Sequence, residues 1–141
     1  MTITTTTHLN FRGDARRALE FYRSVFGGEL TAFTYEDARS VGDPADADRI
    51  MWGQVVSEAG FRIMAYDVPS DRPFERGDGS FFVSVRAGSA DEITDLWNEL
   101  SGGSEVVVDL APAGWAPLYG MLKDEFGVVW VLDVTAPDSG S

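Results

Sequence analysis

The chain has 141 residues, 11 Lys+Arg against 23 Asp+Glu and one His, for a formal net charge of −12. A single domain of this length buries about 68–70% of its unfolded surface, and 44% apolar residues with 12% aromatics supply a core and argue against disorder. The absence of cysteine excludes disulfides, thiol nucleophiles, zinc ribbons and iron–sulfur clusters, and the lone His8 excludes multi-His metal sites.

Residues 3–11 contain the β-branched and apolar positions of a strand, and Gly13-Asp14 opens a helix. In ARRALEFYRSVFGG, Ala15, Ala18, Leu19, Tyr22, Val25 and Phe26 recur at three- and four-residue intervals, the mark of an amphipathic helix. Asp14 is the expected N-cap and Gly27-Gly28 the stop. ELTAFTYED alternates like a strand, and ARSVGDPADAD (38–48) reads as a polar, mobile loop. Strands at 49–57 and 61–67 follow, joined by the turn Ser57-Glu58-Ala59-Gly60, and then residues 67–79 have linker composition.

The same order returns with a strand at 80–87, a helix at 89–100, the pair Gly102-Gly103, a strand at 104–110 and a final hairpin over LYGMLKD-EFG-VVWVLDV. Placing Gly13 on Gly88 sets Phe21-Tyr22 on Leu96-Trp97 and Gly27-Gly28 on Gly102-Gly103, a spacing of 88 − 13 = 75 residues, and Gly60 answers Gly127. The chain reads as two copies of βαβββ. Module 1 runs to about residue 67, the linker over 68–79, and module 2 over about 80–135. A disordered tail is expected at 136–141.

HLNFRGDARRALEFYRSVFGGEL resembles the opening of the vicinal-oxygen-chelate superfamily, which includes glyoxalase I, bleomycin-resistance proteins and extradiol dioxygenases. The PhnB-like, demethylubiquinone-methyltransferase-like branch is the most similar. Its early frame falls on Phe11, Gly13, Ala15, Ala18, Phe21-Tyr22 and Phe26-Gly27-Gly28. Its late frame falls on Trp115, Pro117, Tyr119-Gly120, Asp124, Phe126-Gly127-Val128 and Trp130. The resemblance implies an α+β fold of two tandem βαβββ modules forming a curled mixed sheet around a cavity, in a homodimer.

Strand alternation then sorts the side chains. A turn at Glu58-Ala59-Gly60 pairs Ser57 with Phe61. Phe61, Ile63 and Ala65 share one face, and Arg62, Met64 and Tyr66 take the other with Trp52 and Gln54 beside them. In the second hairpin Val128, Trp130, Leu132 and Val134 form an apolar face to lie under a helix, while Val129, Val131 and Asp133 join Tyr119, Met121 and Lys123. The mixed faces supply the candidate ligand-binding residues Trp52, Gln54, Met64, Tyr66, Tyr119 and Met121.

The ligand positions of the superfamily's metal-using members, carried over by the resemblance, fall on Thr7, Met64, Ser80 and Val131, none a usable donor. His8 lies one residue from the first position, and a one-residue step reverses a strand side chain. Asp43, Asp46 and Asp48 offer a calcium alternative without the EF-hand spacing. Glu36, Asp37 and Asp133 could act as general bases if buried. No P-loop or dinucleotide-binding glycine motif occurs, and Gly77-Asp78-Gly79 reads as a loop.

Aromatic and thioether walls suit a planar or cationic ligand. The expectation is a metal-free, cofactor-free small-molecule-binding protein that sequesters its ligand as bleomycin-resistance-like proteins do. The alternative is a glyoxalase/dioxygenase-like or isomerase-like enzyme using a metal or carboxylate outside these positions. Without clustered basic residues no nucleic-acid partner is expected. No membrane association and a cytoplasmic location are expected, given no apolar run near the ~18 residues of a membrane span and no signal-peptide pattern.

Overall fold

The computed structural model describes residues 2–77 and 79–135. The chain divides into two compact units, Met1–Arg76 and Gly77–Ser141, and each has its own helix and four-stranded sheet. Unit 1 runs β1 (Thr7–Phe11), α1 (Ala15–Phe26), β2 (Glu29–Thr34), a 3-10 turn at Pro44–Asp46, β3 (Ile50–Val56) and β4 (Arg62–Asp67). Its sheet order is β1-β4-β3-β2, with β1 parallel to β4 and the other pairs antiparallel. Unit 2 runs β5 (Val83–Ala87), α2 (Ala90–Leu100), β6 (Glu105–Ala113), β7 (Ala116–Lys123) and β8 (Val129–Val134). Its order, β5-β8-β7-β6 with β5 parallel to β8, repeats the first.

This is the α+β arrangement of two βαβββ modules. The first strand starts at Thr7 rather than residue 3, and β5 at Val83 rather than residue 80. The tail 136–141 and Asp78 of the Gly77-Asp78-Gly79 loop lie outside the described residues.

The repeat has no single spacing. Helix starts are offset by 90 − 15 = 75 residues, but the strand starts Thr7 and Val83 are offset by 83 − 7 = 76. Their parallel partners Ile63 and Trp130 are offset by 130 − 63 = 67. The difference lies in the connections. Three residues, Arg12-Gly13-Asp14, link β1 to α1, whereas Gly88-Ser89 link β5 to α2.

Both helices follow their apolar periodicity. Ala15, Ala18, Leu19, Tyr22 and Val25 of α1 are buried, as are Ile93, Trp97 and Leu100 of α2. Such a stripe stabilises a helix chiefly through packing, since short helices are marginal alone. At the end of α1, Gly27 takes φ 76 and its N–H returns to the Arg23 carbonyl at 2.8 Å. Gly28 follows at φ 99, where a Cβ would also run into the Val56 carbonyl, so the chain turns into β2 only with glycine.

The expected cap of α1 is corrected. Asp14 makes no side-chain cap hydrogen bond and instead meets Arg17 at 3.2 Å on the surface. The helix start is held by Asp67 at the end of β4. Its Oδ1 accepts from the Gly13 N–H at 2.7 Å and the Ala15 N–H at 3.1 Å, and its Oδ2 from the Ile50 N–H at 2.9 Å. Asp67 is 1% exposed, so these bonds replace water around both carboxylate oxygens. α2 is capped locally, with the Ser89 hydroxyl accepting from the Glu92 N–H at 3.2 Å.

The hairpin turns match in plan. The Ser57 N–H donates to the Phe61 carbonyl at 2.9 Å, with Gly60 at φ 106. In unit 2 the Asp124 N–H donates to the Val128 carbonyl at 2.8 Å. The buried Asp124 carboxylate accepts from the Phe126 and Val128 N–H groups and from Trp130 Nε1 at 2.8 Å. That last bond satisfies the only polar atom of a fully buried Trp130 side chain.

Candidate functional site

The strands of unit 1 have a helix side and an open side, and Gly53 fixes which is which. A Cβ on Gly53 would collide with Leu19 of α1. Its row partners Ala65 and Leu9 are buried with it, as are Ile63 and Val55. Alternation turns Trp52 and Gln54 of β3, and Met64 and Tyr66 of β4, to the open side. All four are partly exposed. Gln54 pairs with Met64 and Met64 with His8, forming one cross-sheet row, while Tyr66 pairs with Asn10.

The rings on this side touch. Trp52 lies near-parallel to Phe33 of β2, with centroids 5.8 Å apart and planes at 26°. His8 stands edge-on to Tyr66 at 5.2 Å, and its Nδ1 is 3.1 Å from Asn10 Oδ1.

The first-strand register corrects the carry-over. Thr7 pairs with Ile63 on the helix side, and it is His8 that stands beside Met64. The physical reason is the pleat, because one residue of offset exchanges the two faces. Ser80 precedes β5, and the residue beside Val131 is Ser84.

In unit 2, Gly120 plays the part of Gly53, since a Cβ there would come within 2.8 Å of the Trp97 ring. Its partner Leu132, with Trp130, Leu122 and Val134, packs on that side and is buried. Tyr119, Met121 and Lys123 of β7 therefore share the open side with Val129, Val131 and Asp133 of β8. Trp115, largely exposed, stands edge-on to Tyr119 at 5.2 Å. Of the six candidate residues, the register thus groups Trp52, Gln54, Met64 and Tyr66 in unit 1, and Tyr119 and Met121 in unit 2.

The loop after β2 carries structure that the sequence reading missed. It and the segment after β4 enclose a cavity of about 560 Å³, with Tyr35, Asp46, Met51, Tyr66, Ser70 and Arg72 in its lining. Asp46 is 2% exposed and accepts from the Ser70 N–H at 3.0 Å, the Ser70 hydroxyl at 2.8 Å and Arg49 Nη1 at 3.0 Å. The Ser70 backbone bond, then its hydroxyl, and then Arg49 hold the Asp46 carboxyl below the usual carboxylate range. Asp43 Oδ1 caps the 3-10 turn by accepting from the Ala45 N–H at 2.9 Å. The aspartates offered as a calcium alternative thus include two that tie down their own loop. The Asp43-Pro44 pair was the legible signal, as a turn initiator.

Arg12 holds the far wall, donating to the carbonyls of Val68 at 3.3 Å, Pro69 at 3.0 Å and Arg72, with its guanidinium 5.5 Å over the Phe74 ring. The buried Tyr35 hydroxyl donates to the Asp67 carbonyl at 2.6 Å, and burial pushes its pKa up, with nearby Tyr66 and the aspartates adding to the shift. Of the three possible general bases, Glu36 and Asp37 are exposed, and Asp37 accepts from the Thr34 N–H at 3.0 Å. Asp133 alone is buried.

The family model described as the Glyoxalase/Bleomycin resistance protein/Dioxygenase superfamily matches residues 6–132. The chain belongs to that superfamily. Among solved structures, this superfamily member is similar to protein PA1353 from Pseudomonas aeruginosa, with 32% identity, TM-score 0.83, and coverage of 95% of this chain and 98% of that one. A putative 3-demethylubiquinone-9 3-methyltransferase, PhnB protein, from Bacillus cereus shares the fold at 20% identity and TM-score 0.75, covering 94% of this chain and all 100% of that one. A glyoxalase-related enzyme from Fulvimarina pelagi does so at 14% identity and TM-score 0.62, covering 94% and 89%. No curated protein matches the chain.

Many members of the superfamily hold a divalent metal, and the residues here do not fit one. The unit 1 row offers one imidazole, a thioether and an amide, and the unit 2 row offers Ser84, Val131 and Met121. Zn²⁺, Ni²⁺ or Fe²⁺ needs several imidazole, thiolate or carboxylate donors. Among the described residues no group of three His, Cys, Asp or Glu is placed to hold a metal ion.

Proposed function

We propose that the protein is a cytoplasmic, metal-independent small-molecule-binding member of the superfamily, which holds a planar or cationic organic ligand on the open side of its sheets and sequesters it unreacted. The observation that carries this reading is the register that sets Trp52, Gln54, Met64 and Tyr66 side by side, away from α1 and partly exposed. Aromatic faces attract cations and stack on planar groups, Met adapts to irregular apolar shapes, and the Gln54 amide adds a donor and an acceptor. Tyr119 and Met121 give unit 2 a related surface. No helix among the described residues is long and apolar enough to cross a membrane.

Calorimetric titration with the planar aromatic cation proflavine tests the reading, with and without EDTA. Binding that EDTA leaves unchanged, and an unchanged melting temperature, is the expected result. A melting temperature that falls in EDTA and recovers with Ni²⁺, Zn²⁺ or Fe²⁺ contradicts it.

A second reading, an isomerase-like enzyme, is favoured by one observation. His8 is an exposed imidazole on the open side, in contact with Tyr66 and Asn10, and an imidazole is a common proton-transfer group in catalysis. Its test is a His8→Gln variant, which in this reading abolishes turnover while leaving proflavine binding intact. The proposal also includes a homodimer, supported by β6, which ends its sheet with Val106, Val107 and Val108 exposed. Sedimentation at micromolar concentration as a monomer removes that part.

A further inference from the structure

Among the described residues, Asp133 is the one buried acidic side chain whose hydrogen bonding is left incomplete. Asp46, Asp67 and Asp124 are the other buried charged residues, and each receives three or more hydrogen bonds. Asp133 is equally inaccessible, at 5%, yet its Oδ1 is buried without any hydrogen bond. It lies on the open side of unit 2, paired with Tyr119 on one flank and Arg86 on the other.

The Arg86 Nε is 3.3 Å from that oxygen, but the contact lacks hydrogen-bond geometry and the Arg86 side chain is 65% exposed. A guanidinium mostly in water is a weak and exchangeable partner. A buried acceptor without a hydrogen bond costs stability, so such a group in a native structure calls for a partner or a functional reason.

We propose that Asp133 is the anchor for the cationic head of the ligand, an ammonium, amidinium or guanidinium whose N–H donors complete the Asp133 carboxylate while its planar body lies on Tyr119 and Met121. Arg86 holds the place of that cation and swings into solvent when it arrives. The inference rests on the open-side reading above and narrows the ligand to an organic cation. It also gives the unit 2 surface a buried carboxylate where the corresponding position of unit 1 is the neutral Tyr66. Ion pairs closed in a desolvated site set specificity more strongly than exposed ones.

The test compares benzamidine, a planar amidinium, with benzamide, its neutral analogue of the same shape, by calorimetry on the full chain. Benzamidine is expected to bind more tightly than benzamide, and Asp133→Asn to weaken benzamidine by about tenfold or more while leaving benzamide unchanged. Asp133→Glu keeps the preference for benzamidine. Arg86→Gln, which removes the competing cation, tightens benzamidine. The melting temperature of Asp133→Asn is expected to hold or rise, whereas a structural ion pair with Arg86 requires it to fall. Equal benzamidine binding by the wild type and Asp133→Asn overturns the inference, as does a chain that binds proflavine but neither benzamidine nor benzamide. A chain that binds none of the three overturns the open-side reading together with it.

Discussion

The two units share strand order and strand sense, yet they begin their helices by different means. Unit 1 reaches from the end of β4 to the start of α1, where the buried Asp67 accepts from the Gly13, Ala15 and Ile50 N–H groups. Unit 2 uses the neighbouring Ser89 hydroxyl alone, and the residue that ends β8 is the apolar Val134. The open sides differ in the same way. Tyr66 of unit 1 pairs with Asn10, a neutral contact, while Asp133 of unit 2 pairs with Arg86. The last strand of each plan thus carries a buried carboxylate, Asp67 of β4 on the helix side and Asp133 of β8 on the open side. The first has every oxygen bonded and belongs to the fold, whereas the second has an oxygen without a hydrogen bond and faces the candidate ligand surface.

The largest expected effects break the helix side. Each buried N–H left without a partner costs about 1–3 kcal/mol, so Asp67→Ala is expected to lower unfolding free energy by roughly 3–5 kcal/mol in urea titrations. Trp130→Ala should cost a comparable ~3–5 kcal/mol as a core truncation. On the open side, Trp52→Ala should change stability less and weaken proflavine by about 1–2 kcal/mol, or roughly five- to thirtyfold. Ser89→Ala should cost about 1 kcal/mol. If Ser89→Ala and Asp67→Ala prove equally damaging, the contrast between a remote and a local cap is wrong.

The smallest effect is in acid. The folded-state pKa of Asp46 lies below its unfolded value, so its stabilisation is complete above the unfolded value of about 3.9 and is lost as pH falls through the depressed folded value. Asp46→Asn should therefore flatten the acid limb of a melting-temperature profile between pH 5 and acid, by about the width of one titration. A variant as acid-sensitive as the wild type contradicts the Asp46–Ser70 tie.

The elements governed by local periodicity were legible in the sequence. The three- and four-residue spacing of Leu19 and Tyr22 marked α1, and alternation in RIMAYD and VVWVLD separated Ile63 from Met64 and Trp130 from Val131. What depends on distant partners was not. Asp67 is 52 positions from Ala15 and Asp46 is 24 from Ser70, and no local pattern joins such pairs. The face of His8 depended on how β1 lies against β4, 56 residues away, and the extra residue between β1 and α1 hid that register behind the helix spacing. Asp133 could be placed on a face by alternation, but the absence of a hydrogen bond at its Oδ1 is a property of three-dimensional packing alone.

One register sets Trp52 on the open, partly exposed side and Trp130 beneath a helix. Acrylamide quenching of variants retaining only one of these two tryptophans, with the others replaced by Phe, measures this directly. Trp52 is expected to be quenched by acrylamide and shielded when proflavine is bound, while Trp130 stays protected with or without it. A shielded Trp52 and a quenched Trp130 in the free protein would contradict the assignment of faces and the ligand surface built on it.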